Sequence, residues 1–275
     1  PLGGAPRGTW VLSKGFKING AKHICYLQAR NFKYVWDEAD LYYTGLLKLF
    51  SFTKYYLRRF DIKSAQNPDI LIANSKFVQD WTKKHYNRDS IVIYPPVDVD
   101  DFFISENKED YYITIGRLEP YKRYDIIIES FNKNKKKLLV LGSGSQMGKL
   151  KQMSGDNIQF LGFKEKSELK DILSKAKAFV YAGIEDFGIV YAESLASGVP
   201  VIAYKGGAVS EIIENNKDGV LFENQNSDSL NIAISTFEKN HMDFKPSEIK
   251  NRANRFSKKR FQDEFKDVVN SLYLK

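Results

Sequence analysis

The chain has 275 residues, 43% of them hydrophobic and 28% charged, with a formal net charge of +8. That length suffices for one large domain or two modest ones, and the composition is ordinary for a globular protein. No apolar run approaches the roughly 20 residues that span a bilayer, and no signal peptide is legible, so neither a membrane-spanning nor a secreted protein is expected. A single cysteine, Cys25, excludes an internal disulfide, and three scattered histidines offer no metal-ligand cluster. A reducing, cytosolic setting and metal-free chemistry are the expectation. The charge is uneven, with fifteen Lys and Arg against nine Asp and Glu in residues 1–100. It favours an anionic partner such as phosphates, nucleic acid or acidic lipid, with a merely solubilising charge as an equal alternative.

The opening PLGGAPRGT, residues 1–9, reads as a flexible tail. From Lys22 the run HICYL predicts a strand. A long helical region follows over about 35–65, with Leu46, Leu47, Phe50, Tyr56 and Leu57 near helical spacing. PDILIAN predicts a buried strand, and Ser75 the cap of the helix KFVQDWTKKHY. SIVIYPPVD is a strand stopped by Pro95-Pro96. Adjacent prolines continue neither a helix nor a central strand, so a domain boundary is placed there. Beyond it the runs YYITIG, LLVLGS, NIQFLG, AFVYAG, VPVIAY and GVLFE alternate with helix-like segments of about 10–15 residues. This is the pattern of a doubly wound, largely parallel α/β sheet. The closing SKKRFQDEFKDVVNSLYLK predicts a helix with Phe261, Phe265, Val268, Val269 and Leu272 on one side.

Such sheets bind ligands at the C-terminal ends of their strands, and three ends are informative. Arg117 follows Gly116 directly, with Lys122 and Arg123 at the start of the next helix, where cations and free N–H groups reach a phosphate. A solvated basic turn is the plainer reading of any lone pair. LLVLGSGS ends in Gly142-Ser143-Gly144. These glycines let a ligand approach the backbone, although an ordinary strand-to-helix turn explains them equally, and the full dinucleotide fingerprint is absent. After AFVYAGIEDFG a helix is expected over 189–197. Gly188 then sits at its N-terminus, Glu185 just before the turn, and Glu193 about one turn in, projecting toward the same mouth. Two carboxylates at a phosphate-binding mouth suit a polyhydroxylated ligand such as a sugar plus a ribose. Taken singly, each is more simply a helix-dipole partner or a surface residue; the combination tips the balance.

EDFGIVYAE, with Glu185 and Glu193 eight positions apart, resembles the Glu-x7-Glu element of retaining GT-B glycosyltransferases, most closely glycosyltransferase family 4. GRLEPYKRYDIIIESF, FLGF, AFVYAGIEDFGIVYAESLASGVPVIAY and GGAVSEII fall in that family's order. ANSKFVQDWTKKHY and VIYPPVDVDDF look like the end of its first domain. The resemblance covers roughly residues 20–260 and points to mannosyltransferase-like enzymes of surface-polysaccharide assembly. It implies a GT-B type α/β fold. A shortened acceptor-side N-terminal domain, 1–95, would precede a doubly wound, Rossmann-like donor-binding domain, 96–257, and a terminal helix, 258–275, would cross back to the first domain.

By the same resemblance Arg117 and Lys122 hold the donor diphosphate and Glu185 contacts the hexose hydroxyls. Phe187, Gly188 and Ile189 present backbone N–H groups to sugar and phosphate, and Glu193 binds the ribose. The turn at Gly162-Phe163 lies along the base, and Gly116, Gly142 and Gly144 belong to the donor-side loops. Two features depart from the family. Lys33-Tyr34-Val35-Trp36-Asp37 stands where an Arg-Tyr-x-Trp-Asp element is expected, but Gln28, Ala29 and Arg30 precede it without the usual sugar-contacting histidine, and His23 is a poor substitute. The first domain is also short against the roughly 100–200 residues expected, lacking the initial strands and glycine loop through truncation or reduction.

The leading expectation is retaining, metal-independent transfer of a hexosyl group, mannose by subgroup resemblance, from a GDP- or UDP-linked donor to a glycan or lipid-linked acceptor. No cofactor is expected and no enzymatic nucleophile is assigned. Two rivals stay open: a nucleotide-sugar binding module without transferase activity, and a nucleotide-sugar epimerase, which the Arg117, Lys122, Glu185 and Glu193 set fits less well. LLKLFSFTKYYLRRFDIK, residues 46–63, mixes apolar and aromatic residues with Lys48, Lys54, Arg58, Arg59 and Lys63. It suits an anionic membrane surface, against the plainer core-facing amphipathic helix. A cytoplasmic protein, peripheral on the inner membrane face, is expected. No nucleic-acid module is recognised.

Overall fold

The computed structural model describes residues 13–15, 22–30, 35–39 and 52–273. These fall into two compact units, one of residues up to Pro95 together with those from Gln262 onward, the other Pro96–Phe261. In the first unit, β1 (Ile24–Leu27), β2 (Ile70–Ala73) and β3 (Ile91–Val92) pair in parallel in that order, Ile24 opposite Ile70 and Ile72 opposite Ile91. Helices α1 (Thr53–Ser64) and α2 (Lys76–Tyr86) belong to the same unit. Ser75 is extended and its hydroxyl accepts from the Val78 N–H at 3.1 Å, while Asn87 ends α2 in the left-handed conformation. Cys25, Leu27, Leu71, Ala73 and Val78 form one small core.

The expected 35–65 helix is not continuous. Residues 35–38 form a turn, Ala39 is helical, Phe52 is a turn residue and α1 starts at Thr53, while 40–51 lie outside the described residues. Leu46, Leu47, Lys48 and Phe50 lie outside the described residues, as do Lys33 and Tyr34. Within α1 the side chains reverse the apolar expectation. Asp61 and Ser64 are buried, whereas Tyr55, Tyr56 and Phe60 are more than half exposed. Asp61 goes inward because donors surround it: Lys14 Nζ, Trp36 Nε1 at 2.9 Å and Tyr86 OH at 2.8 Å. A buried carboxylate is tolerable only when paired and hydrogen-bonded in this way.

The second unit contains all six strands expected from the apolar runs: β4 (Tyr112–Ile115), β5 (Leu138–Leu141), β6 (Ile158–Gly162), β7 (Ala178–Tyr181), β8 (Val201–Tyr204) and β9 (Gly219–Phe222). Their spatial order is β6-β5-β4-β7-β8-β9 and every pair is parallel. This is the Rossmann order, which reverses direction between β4 and β7. Strands β4, β5 and β7 are buried at every residue, which explains their continuous apolar runs. The helices of this unit are α3 (Tyr124–Asn134), α4 (Met147–Met153), α5 (Lys166–Lys175), α6 (Ile189–Ala196), α7 (Val209–Ile212), α8 (Ser227–Asn240) and α9 (Pro246–Ala253). The last helix, α10 (Lys258–Tyr273), groups with the first unit from Gln262. Among the described residues no helix is long and apolar enough to cross a membrane.

Replacing the cap, Ser75→Ala, is expected to cost about 1 kcal/mol, read as a lower urea midpoint for α2. Gly142→Ala should cost more. Gly142 has φ +123°, and an added Cβ would lie 2.0 Å from the Gly116 carbonyl oxygen. A variant as stable as wild type would contradict that packing.

Candidate donor site at the sheet reversal

Where the strand order reverses, the ends of β4 and β7 and the loops that follow them border a small cleft, open to solvent. Gly116, Lys122, Tyr181, Glu185, Gly188 and Ile189 line it. Lys122 and Arg123 precede helix α3 instead of opening it. Pro120–Lys122 is a 3-10 turn, and Arg123 is left-handed with φ 55°. Arg123 is turned away onto Asp125 at 3.0 Å and Gln225 at 3.3 Å, and the Gln225 amide donates to the Ala182 carbonyl at 2.8 Å. The two loops therefore touch through their backbones. A Cβ on Gly183 would lie 2.9 Å from the Lys122 carbonyl oxygen. Across that contact Lys122 Nζ pairs with Glu185 Oε1, the same oxygen that accepts from Tyr181 OH.

Helix α6 opens at Gly188, whose φ of 91° places it in glycine's territory, and it has no side-chain cap. The Ile189 and Val190 N–H groups have no acceptor among the described residues. Unpaired N–H groups and the helix dipole make this end a natural anion site beside Lys122. The Phe187 ring is buried against Phe256, with centroids 5.5 Å apart, and Phe187 is not among the residues that line the cleft.

Other expected residues lie outside the cleft lining. Arg117 is exposed and donates to Tyr121 OH at 3.1 Å. Gly142 and Gly144 serve the protein's own backbone: added Cβ atoms would meet the Gly116 oxygen at 2.0 Å and Leu118 at 2.6 Å. Phe163, after β6, is 74% exposed. Glu193 does not share the mouth lined by Glu185. It is half-buried, and its carboxylate has no hydrogen bond or ion pair among the described residues. Burial pushes its pKa up to about 7; Asp98 adds to the rise, and Lys166 and Lys170 partly oppose it.

Sequence reasoning missed the tyrosines. Tyr181 and Tyr191 line the cleft, and Tyr124 packs edge-on to Tyr181. The available signal was a phenol inside the wholly apolar strand AFVY, because a buried hydroxyl needs a polar partner.

Glu193 gives a pH dependence with a definite sign. Its folded-state pKa lies above the ordinary 4.5, so the stability it contributes is present below pH 4.5 and is lost as pH rises to about 7. Glu193→Gln should therefore reduce the stability difference between pH 5 and pH 8 by about 1–2 kcal/mol, measured by denaturant titration. An unchanged difference would refute the shift.

Comparison with known proteins places this geometry in a class. Solved structures with the same fold are GT-B glycosyltransferases. One from Anabaena, Alr3699/HepE in complex with UDP and glucose, superposes with a TM-score of 0.75 at 20% identity, covering 90% of this chain and 71% of that one. A sucrose-phosphate synthase from Thermosynechococcus elongatus superposes at 0.76 and 17% identity, covering 91% and 68%. Residues 98–260 match the family described as glycosyl transferases group 1, and the chain belongs to that family. The O-antigen chain mannosyltransferase RfbU of Salmonella typhimurium is 33% identical over 202 residues, 67% of this chain and 55% of that protein. A GDP-mannose-dependent alpha-(1-6)-phosphatidylinositol monomannoside mannosyltransferase of Mycobacterium tuberculosis is 26% identical over 141 residues, 45% and 37% of the two chains. The chain spans about half the length, or less, of these curated relatives.

Proposed function

We propose that the chain takes part in transferring a hexosyl group, with retention, from a nucleotide diphosphate sugar to a glycan or lipid-linked acceptor. The observation that carries this reading is the meeting of Lys122 and Glu185 beside the open N-terminus of α6. A cation and unpaired N–H groups suit an anion, and the adjoining carboxylate suits a hydroxyl. A nucleotide sugar presents both, since its diphosphate is flanked by a hexose and a ribose. Two mannosyltransferase relatives, one of them GDP-mannose-dependent, and a structural neighbour holding UDP and glucose support a GDP- or UDP-linked hexose, mannose first.

In this mechanism Lys122, Arg117 and the Ile189 and Val190 N–H groups stabilise the charge that develops on the diphosphate as the glycosidic bond breaks. Glu185 accepts from hexose hydroxyls and Glu193 from the ribose, while Phe163 lies along the base. The acceptor attacks from the face the diphosphate leaves, so no protein nucleophile is needed. The protein's own cations take the part a divalent ion has in other transferases.

A bound donor at 100 times its dissociation constant should raise stability by about 2.7 kcal/mol. Thermal unfolding against UDP, GDP, ADP and their sugar conjugates would show a shift for one base, and Lys122→Ala would erase it. No shift with any of them would overturn the reading. In the transferase assay, Lys122→Ala and Glu185→Gln should each lower kcat/KM about a hundredfold or more, and chelation by EDTA should leave the rate unchanged. Loss of activity on chelation, restored by a divalent ion, would overturn the metal-free mechanism. The outward Tyr55, Tyr56, Arg59, Phe60 and Lys63 of α1 support contact with an anionic lipid surface. Co-sedimentation with vesicles should then rise with their acidic-lipid content, and binding indifferent to that content would count against it.

A further inference from the structure

Both donors that reach the Glu185 side chain take the same oxygen. Lys122 Nζ and Tyr181 OH converge on Oε1, and Oε2 has no hydrogen-bond partner among the described residues. The two donors differ in rigidity. Lys122 ends a long flexible stem rooted in a turn. Tyr181 is the last residue of β7 and is 3% exposed, stacked with Phe179 at 6.1 Å and edge-on to Tyr191 at 5.7 Å and Tyr124 at 6.4 Å. That packing fixes where its hydroxyl points. Burial, with the Glu185 charge adding to it, pushes the phenol's pKa well up, so the hydroxyl remains a proton donor across the working range. Burial and the same carboxylate also raise Tyr124 and Tyr191, yet among the described residues Tyr181 is the one phenol that donates to Glu185.

We propose that Tyr181 is the positioning residue of the donor-sugar subsite: it holds Glu185 by Oε1 while Lys122 exchanges the carboxylate for the donor's diphosphate, leaving Oε2 to accept from a hexose hydroxyl. This rests on the nucleotide-sugar reading above. The exchange follows from charge. Lys122 and Glu185 neutralise each other at 16% and 22% side-chain exposure. A diphosphate is the stronger competitor for the ammonium group. Glu185 would then be a largely enclosed carboxylate without its cation, free to swing, unless a second donor stays in place. A neutral hydroxyl anchored in the sheet does this without competing for the phosphate. It also spends one carboxylate oxygen, which directs the other to the ligand. The plainer alternative is that the Tyr181 ring only fills space between β7 and α6.

Isothermal titration separates the two accounts. The probes are UDP with UDP-glucose and GDP with GDP-mannose, titrated into wild type, Tyr181→Phe, Glu185→Gln and the double variant. Tyr181→Phe keeps the ring, so the Kd for the nucleoside diphosphate should stay within about twofold while that for its hexose conjugate rises about tenfold, the loss of one hydrogen bond to a charged group. In the Glu185→Gln background the same change should have no further effect on the conjugate, because the residue acts through Glu185. Equal Kd values for both ligands in Tyr181→Phe and wild type would overturn the proposal. So would a parallel loss for diphosphate and conjugate, or a full additional loss in the Glu185→Gln background. Wild type that binds none of the four probes would overturn the nucleotide-sugar reading itself. Wild type that binds them, with Tyr181→Phe unchanged, would overturn the positioning role alone.

Discussion

Lys122 and Glu185 stand 63 residues apart in the chain, and the ion pair between them depends on one strand pairing. β4 and β7 are parallel neighbours, Tyr112 opposite Ala178 and Ile113 opposite Phe179, so the loops that follow them leave the sheet side by side. The cleft lies at this reversal of strand order and is lined by residues of both loops. Each partner is mostly enclosed, and either one alone would carry the cost of an unpaired, desolvated charge. The pair therefore ties the two loops together and is also what an incoming anion must compete with.

Close backbone approach makes that meeting geometrically feasible. Gly183 lets the Lys122 turn rest on the β7 loop, and Gly188 leaves room for the Tyr191 ring at the start of α6. Gly142 performs a similar service one strand away, under the Gly116 carbonyl. These glycines look in sequence like a ligand cradle, and part of what they do is allow protein to pack on protein. A cleft whose walls are tight backbone contacts is held open by the sheet, so its N–H groups and carboxylate are oriented before any ligand arrives.

The first unit follows a different logic. Its parallel strands and the Ser75 cap obey local rules, but α1 is anchored by a polar contact. Asp61 draws in Trp36, Tyr86 and Lys14, and its inward position turns Tyr55, Tyr56 and Phe60 outward. Of the two readings open for residues 46–63, a lipid-facing surface or a core-facing helix, the exposed aromatic residues of α1 do not fit the core-facing one. Hydrophobic periodicity cannot register a buried carboxylate whose donors come from distant parts of the chain.

The six strands of the second sheet were legible in the chain alone, since each is a short apolar run bounded by turn residues, and the central β4, β5 and β7 are buried at every residue. The sequence by itself also determined the start of α6 at Gly188, the Ser75 cap, and Lys122, Gly188 and Glu185 as strand-end residues, because glycine, capping and charge signals are local. Tertiary structure alone decided which strand ends become neighbours and hence that Lys122 meets Glu185. It alone decided that Glu193 lies apart from that mouth, where burial lifts its pKa to about 7. The role of Tyr181 was likewise hidden. In AFVY it is one more bulky strand residue, and only the turn that brings Glu185 back over the end of β7 gives its hydroxyl an acceptor. Hydrogen bonds and desolvation depend on distances in space, and a linear pattern holds those only for near neighbours along the chain.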